Sequence, residues 1–208
     1  MTDASALRVA GLLASRLCHD LVGPLGAVNN GLELIAEEDD MAKEALSLAQ
    51  RSAKRASSRL QFFRYAFGAA GGEPSFGHGE ARPIALGLMN NGDVSVDWPE
   101  AKNVELPPGA GRLLLNLALL ASECLPRGGS LRMNLTANRV TIEASGPQAR
   151  LSAETKAAIA GSVAPAQLTA RTVVGYYVTQ LANELGARLE IADDGGMVRL
   201  QAVFATSK

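Results

Sequence analysis

The chain has 208 residues and a formal net charge of −1, and its composition is 47% hydrophobic and 20% charged. This length allows one large domain or two small ones, and the composition is that of a globular rather than a disordered protein. Because the net charge is close to zero, the chain has no general attraction for nucleic acid or an anionic membrane. Neither is an expected partner.

The chain has only two cysteines and two histidines, and these low numbers exclude further classes of protein. They are too few for a disulfide scaffold or a multi-histidine centre, and we expect the chain to hold no metal. The N-terminus lacks the basic start and apolar run of a signal peptide. The longest apolar stretch, from Leu113 to Ala121, is too short to span a bilayer. We therefore expect a cytoplasmic protein.

Residues 1–70 predict two long helices joined by an acidic turn at 37–40. Apolar residues recur along each helix at spacings of three and four, which is typical of a helical seam. In the first helix the pattern slips once, at Gly23-Pro24, where proline predicts a kink. The seam residues are Leu7, Ala10, Ala14, Leu17, Leu21, Leu25, Val28, Leu32 and Ile35, then Ala42, Leu46, Ala49, Ala53, Ala56, Leu60, Phe63 and Phe67.

An antiparallel hairpin of this kind supplies only half of a four-helix bundle, so its apolar seam needs a cover. The simplest cover is the hairpin of a second chain, which predicts a homodimer. The alternative is that the C-terminal part of the same chain covers the seam.

The rest of the chain predicts a linker at 71–79 and a second domain at 80–208. The linker is rich in Gly, Ala and Pro. Strands are expected at 94–98, 131–136, 139–144, 188–192 and 197–204, and helices at 108–125, 152–160 and 172–185. The fold class is therefore α+β: an N-terminal antiparallel helical hairpin followed by an α/β sandwich.

His19 is the residue of the first helix best suited to chemistry. At about 100° per residue it lies about 160° from the centre of the apolar seam, so its ring is predicted to be exposed. Three of its five neighbours on that face are very small, which would let a partner approach closely. The neighbouring residues are Ser15, Arg16, Gly23, Gly26 and Asn30.

A neutral imidazole is a nucleophile, and it is largely neutral near pH 7. Asp20 follows His19 directly and could orient the ring or accept its second N–H proton. Position alone also allows the simpler interpretation that His19 is an ordinary surface residue of a helix.

The sequence around His19 is more specific than its position. The segment His19-Asp20-Leu21-Val22-Gly23-Pro24-Leu25 resembles the phosphoacceptor box of two-component histidine kinases. The continuation from Gly26 to Leu34 is similar to one branch, the ChpT-type histidine phosphotransferases, whose layout matches almost the whole chain. The resemblance implies that His19 is the phosphoacceptor.

The second domain resembles a degenerate kinase ATPase domain. In kinases an Asn helps to hold Mg²⁺ and phosphates, an Asp reads adenine, and a glycine-rich loop covers the phosphates. Leu120 occupies the Asn position, Ala144 the Asp position and Gln148 the place of a glycine in its turn. Only one glycine remains around residues 171–176, where the glycine-rich loop is expected. A backbone that wraps phosphates needs glycine. We expect no ATP binding and no cofactor held by this chain.

The resemblance also implies the partners. The donor is expected to be a phosphorylated Asp on the receiver domain of a hybrid histidine kinase, and the acceptor an Asp on the receiver of a response regulator. The receivers would bring their own Mg²⁺. Two alternatives stay open at this point: an ATP-dependent histidine kinase with a divergent nucleotide site, and a non-catalytic adaptor that binds receivers.

Arg51, Arg55 and Arg59 repeat every fourth residue on the second helix, away from its apolar seam. Such a row is either a solvated face or a docking surface for an acidic receiver cleft. If the hairpin is antiparallel, Arg16 lies on the same side.

Overall fold

The N-terminal hairpin consists of helix α1 (Asp3–Glu37) and helix α2 (Ala42–Ala66). The computed structural model describes residues 3–37, 41–73, 75–89, 93–101 and 104–205, so most of the predicted acidic turn lies outside the described residues. Pro24 lies within α1, which is helical on both sides of it. The kink there stays a prediction. The described helices include no candidate for a membrane span.

The two helices approach most closely at Gly31, which is buried against Ala45 and Ala49. Near the middle of α1, Asp20 reaches Arg59 on α2, so the helices are antiparallel as predicted. This pairing places the first residues of α1 beside the last residues of α2, next to the second part of the chain.

The second part is a mixed five-stranded sheet with helices packed against it. The elements are α3 (His78–Met89), β1 (Val94–Asp97), α4 (Ala110–Glu123), β2 (Gly129–Thr136), β3 (Arg139–Ser145), α5 (Ala153–Ile159), α6 (Val173–Glu184), β4 (Ala187–Asp193) and β5 (Met197–Phe204). Strand order is β1-β2-β3-β5-β4, where β1 and β2 are parallel and the other pairs antiparallel. The predicted fold class is confirmed.

Helix α4 occupies the centre of this part. Eleven of its fourteen residues are buried, because it contacts the sheet on one side and α2, α3 and α6 on others. A helix that is apolar on all faces is stable only in such a position. The predicted strands and helices are all present, with ends shifted by a few residues.

Helix α3 is an element that the sequence pattern did not predict. It begins at His78, inside the stretch predicted as a linker, whose boundaries stay a prediction. The backbone N–H of Gly77 donates to Oε2 of Glu80 at 3.1 Å, which is half of a capping box and starts the helix. The glycines that suggested a linker obscured this signal.

The second part covers one face of the hairpin and part of the apolar seam. Val9 and Leu13 of α1 and Phe63 of the seam are buried in the common core, whereas Leu7, Leu25 and Leu60 of the seam are exposed. Leu32 and Leu46 of the seam are also exposed. The alternative in which the C-terminal part covers the seam therefore holds for part of it, and a homodimer that covers the rest stays a prediction.

Among the described residues, four polar side chains donate hydrogen bonds between the hairpin and the second part. Arg8 donates to the carbonyl oxygens of Pro165 at 2.9 Å and Leu168 at 3.0 Å. Buried Asn116 donates to the carbonyl oxygen of Ala66 at 2.8 Å, and Arg112 donates to that of Gly68 at 2.7 Å. The fourth side chain, Arg16, belongs to the site described below. These contacts fix the second part against both helices.

Two glycines of α1 test the close approach of the helices. A Cβ at Gly31 would lie 2.9 Å from the carbonyl oxygen of Ala45, whereas a Cβ at Gly26 would meet nothing within 4 Å. Gly31→Ala is expected to lower the free energy of unfolding by about 1–3 kcal/mol through overpacking. Gly26→Ala, the matched control, is expected to raise it by roughly 0.5–1 kcal/mol through helix propensity. Urea titration measures both, and equal effects of the two variants would contradict the packing described.

Candidate phosphoacceptor site

His19 projects from α1 with 88% of its side chain exposed, as its position on the helix predicts. Its Nδ1 atom lies 3.1 Å from Oδ1 of Asp20. A proton on Nδ1 can therefore be donated to Asp20, which leaves the lone pair on Nε2 facing solvent. The ring is oriented on one side and accessible on the other.

Asp20 is held by cations from both helices of the hairpin. Its Oδ2 atom lies 3.8 Å from Nε of Arg16 and 4.0 Å from Nη1 of Arg59. Only 18% of the Asp20 side chain is exposed, so these charges act with less screening than on an open surface. One carboxylate oxygen thus faces the arginines, and the other faces His19.

Arg16 lies between the two parts of the chain. Its Nη2 atom forms an ion pair with Oε1 of Glu123, the last residue of α4, and its Nη1 donates to the carbonyl oxygen of Ala170 at 3.5 Å. The exposed fraction of its side chain is 15%. Arg16 was predicted as an exposed docking residue, but its contacts in the structure are with its own chain. Helical position alone could not show this, because the covering element is distant in sequence.

Glu123 is the carboxylate that sequence reasoning missed. Burial raises the pKa of this carboxyl from 4.5 to about 6, although the Arg16 guanidinium acts to lower it. A single acidic residue at the end of an otherwise apolar helix was the available signal. Arg8 was missed too, although it lies two turns before Arg16 on the same side of α1.

A cleft of about 770 Å³ separates α1 from the second part, and His19 stands at its edge. The α1 side is lined by Ser15, Arg16, His19 and Asp20, and the facing side includes Leu120, Glu123, Arg150, Ser152, Thr155 and Arg171. Arg16 is paired with the carboxylates of Asp20 and Glu123 in this lining, whereas Arg150 and Arg171 add positive charge on the facing side.

A smaller cleft of about 400 Å³ lies on the other side of the Arg16–Glu123 pair. Arg55 and Arg59 line it together with Arg16, so these three are on one side of the hairpin as predicted. Arg51 is exposed nearer the start of α2, and its guanidinium donates to Oγ of Ser47.

The remaining predicted docking residues lie near His19 on the surface of α1. Ser15 is exposed, and its hydroxyl donates to the carbonyl oxygen of Gly11 at 2.9 Å. Gly23 and Gly26 are exposed, with open space where a Cβ would stand, and Asn30 is exposed beyond them. This face is therefore open to a partner, and the docking role of these residues stays a prediction.

Two of the three positions compared with kinase ATP-binding residues are aliphatic and buried. The side chains of Leu120 and Ala144 are buried, and Gln148 adopts a φ of 61° in the turn where the kinase pattern has glycine. Among the described residues, no three His, Cys, Asp or Glu side chains are grouped so as to hold a metal ion. The polar and charged side chains of this region that could take part in chemistry are those lining the cleft beside His19.

Comparison with known proteins identifies the family. Residues 78–196 match the family model described as the histidine phosphotransferase C-terminal domain. The protein phosphotransferase ChpT of Brucella abortus is 38% identical over 192 residues, which cover 90% of this chain and 91% of that protein. A solved structure of a bacterial phosphotransferase is 35% identical with a TM-score of 0.81, and the match covers 95% of this chain and 96% of the other.

The family model over residues 78–196 and the two phosphotransferases that match nearly the whole chain define a histidine phosphotransferase of a phosphorelay. The match over more than half of the chain and the 38% identity show that this chain belongs to the ChpT-type histidine phosphotransferases. The family resemblance read from the sequence is confirmed.

Replacement of Glu123 is expected to change how stability depends on pH. Because the folded-state pKa is raised to about 6, the folded chain binds more protons than the unfolded chain, and stability falls as pH rises from 4.5 through 6. The shift corresponds to about 2 kcal/mol of unfolding free energy. Glu123→Gln should lack this loss, so relative to wild type it gains about that amount between pH 4 and pH 8.

Urea unfolding at the two pH values measures the difference. Glu184→Gln is the matched control, because Glu184 is an exposed carboxylate near the end of α6. The control should follow wild type at both pH values. Equal pH dependence of wild type and Glu123→Gln would contradict the assignment of a buried, charged Glu123.

Proposed function

We propose that His19 is the phosphoacceptor and that Asp20 orients its ring. The observation that carries this proposal is the geometry of the pair: Nδ1 of His19 faces Oδ1 of Asp20 at 3.1 Å, and the rest of the ring is exposed. Asp20 selects the tautomer in which Nε2 is the nucleophile. An exposed imidazole without such a partner would divide its proton between both nitrogens.

The transfer needs no proton to move. The Nε2 lone pair attacks the phosphorus of a phosphorylated receiver Asp, the N–P bond forms, and the bond from phosphorus to the Asp oxygen breaks. The receiver oxygen leaves as a carboxylate. The phosphorylated ring keeps its proton on Nδ1, and the positive charge of the ring faces Asp20. The second transfer is the reverse of this step, with the carboxylate of another receiver as the nucleophile.

The partners we propose are the receiver domain of a hybrid histidine kinase as donor and response-regulator receivers as acceptors. The arginines of both clefts complement the acidic residues with which a receiver holds Mg²⁺, and the receiver supplies that ion. The contribution of this chain is to place Nε2 in line with the phosphorus and to exclude water when the receiver docks.

We also propose that the chain does not phosphorylate itself with ATP. Leu120 and Ala144 have aliphatic side chains that can neither hold a metal ion nor read a base, and both are buried. Two of the replaced positions, Leu120 and Gln148, lie in different segments of the second part. Several independent losses would have to be compensated before a nucleotide could bind.

The active form is proposed to be a homodimer with a four-helix bundle. Leu7, Leu25 and Leu60 leave a large apolar surface exposed along the predicted seam. Leu32 and Leu46 extend it along both helices. Apolar patches of this kind are typical of interfaces. His19 lies on a different face of α1, so dimerisation leaves the ring accessible.

The chain has only two histidines, which gives a matched test of the acceptor. Purified receiver domains are first labelled on Asp with ³²P-acetyl phosphate and then mixed with each variant. His19→Gln is expected to accept no label, because it lacks the nucleophile, and His78→Gln is expected to accept label like wild type. Label on His19→Gln would show that the acceptor is another residue.

The same gel assay with ³²P-ATP and Mg²⁺ but no receiver tests the second proposal. No label is expected on the wild-type chain, since the residues that hold metal and base in kinases are replaced. Rapid labelling from ATP alone would identify the chain as a kinase instead.

A charge placed in the seam tests the dimer. Leu60→Glu, at a side chain that is 54% exposed in the single chain, is expected to give a monomer, because each interface would then bury an unpaired carboxylate. Gln61→Glu adds the same charge one residue away on another face of α2 and should leave the dimer intact. Sedimentation velocity distinguishes the two, and a wild-type monomer at micromolar concentration would contradict the proposal.

A further inference from the structure

Glu123 belongs to the second part of the chain, yet its carboxylate reaches the phosphoacceptor site. It forms an ion pair with Arg16 of α1, and Arg16 lies 3.8 Å from Asp20, whose other oxygen contacts His19. These four side chains form an ordered series across the cleft. Arg59 is the second cation beside Asp20.

The distances along this series suggest what Glu123 does. Arg16 is paired directly with Glu123 but remains at 3.8 Å from Oδ2 of Asp20, which is ion-pair distance and longer than a hydrogen bond. Without the attraction of Glu123, the guanidinium could form a bidentate pair with Asp20, which is the strong geometry for these groups. Such a pair would draw Oδ1 away from the ring of His19.

We propose that Glu123 is a positioning residue for phosphotransfer, which acts through Arg16 to keep the Asp20 carboxylate directed at His19. This role rests on the proposed function of His19 as the acceptor. The second part then contributes to the chemistry of a helix that it does not contain.

The charge of Glu123 is essential to this role, and that charge depends on pH. Because burial raises the pKa of this carboxyl to about 6, the group is ionised at pH 8 and largely neutral below pH 5.5. The other charged or titratable groups lining the clefts on either side of it are Arg16, His19 and Asp20 on α1, Arg55 and Arg59 on α2, and Arg150 and Arg171 in the second part. The ratio of the wild-type rate to the rate of a Glu123 variant at each pH therefore isolates the contribution of Glu123.

The test compares Glu123→Gln with wild type in two transfer reactions across pH 5 to 8. One donor is a ³²P-labelled receiver, and the other is phosphoramidate, a small donor that does not dock. At pH 8, Glu123→Gln is expected to be roughly tenfold slower with both donors, the effect of losing one charged contact. The ratio of wild-type to variant rate should fall towards one below pH 5.5, where wild-type Glu123 is neutral.

Glu184→Gln is the control and should react like wild type with both donors at each pH. Melting temperatures show whether each variant is folded at the assay temperature. If wild type accepts label on His19 but Glu123→Gln matches it at all pH values, the positioning role is wrong while the acceptor stands. A loss with the receiver donor alone also overturns the positioning role, because it would mean that Glu123 acts on docking. If wild type itself accepts no label, the proposed function fails first.

Discussion

Two guanidinium groups, one from each helix of the hairpin, hold the carboxylate that faces His19. Arg16 and Arg59 lie within 4.0 Å of the same oxygen of Asp20, which leaves the other oxygen for the imidazole. This contact requires the antiparallel register of α1 and α2, and the register requires the close approach at Gly31. The orientation of an exposed ring therefore depends on packing more than two helical turns away.

The second part of the chain has a larger role than covering the hairpin. Polar contacts from Arg8, Arg112 and Asn116 attach it to both helices, and Glu123 brings a carboxylate to Arg16. Keeping Glu123 ionised near neutral pH costs stability, since its pKa is raised by burial. A charge retained at such a cost is typical of functional sites, where stability and activity compete. The second part thus lines the cleft beside His19 and contributes this carboxylate to it.

Local patterns were sufficient to predict the helices, the strands and the exposure of His19, because each follows from spacing within one element. The contacts of Arg16 could not be predicted, since its partner Glu123 is more than one hundred residues away and only the tertiary fold brings them together. Helix α3 was not predicted because Gly77, the residue just before it, lies in a glycine-rich stretch that is typical of a linker. The apolar seam was predicted from its spacing. The sequence alone left open which part of it the second part of the chain would cover and which part would stay exposed.

The proposed transfer depends on Asp20, which holds Nδ1 and leaves Nε2 of His19 as the nucleophile. ¹⁵N–³¹P NMR tests this directly, on the chain labelled with ¹⁵N at histidine, after phosphorylation by a receiver at alkaline pH. We predict a one-bond phosphorus coupling to Nε2 of His19 and none to Nδ1. Coupling to Nδ1, or to either nitrogen of His78, would contradict it.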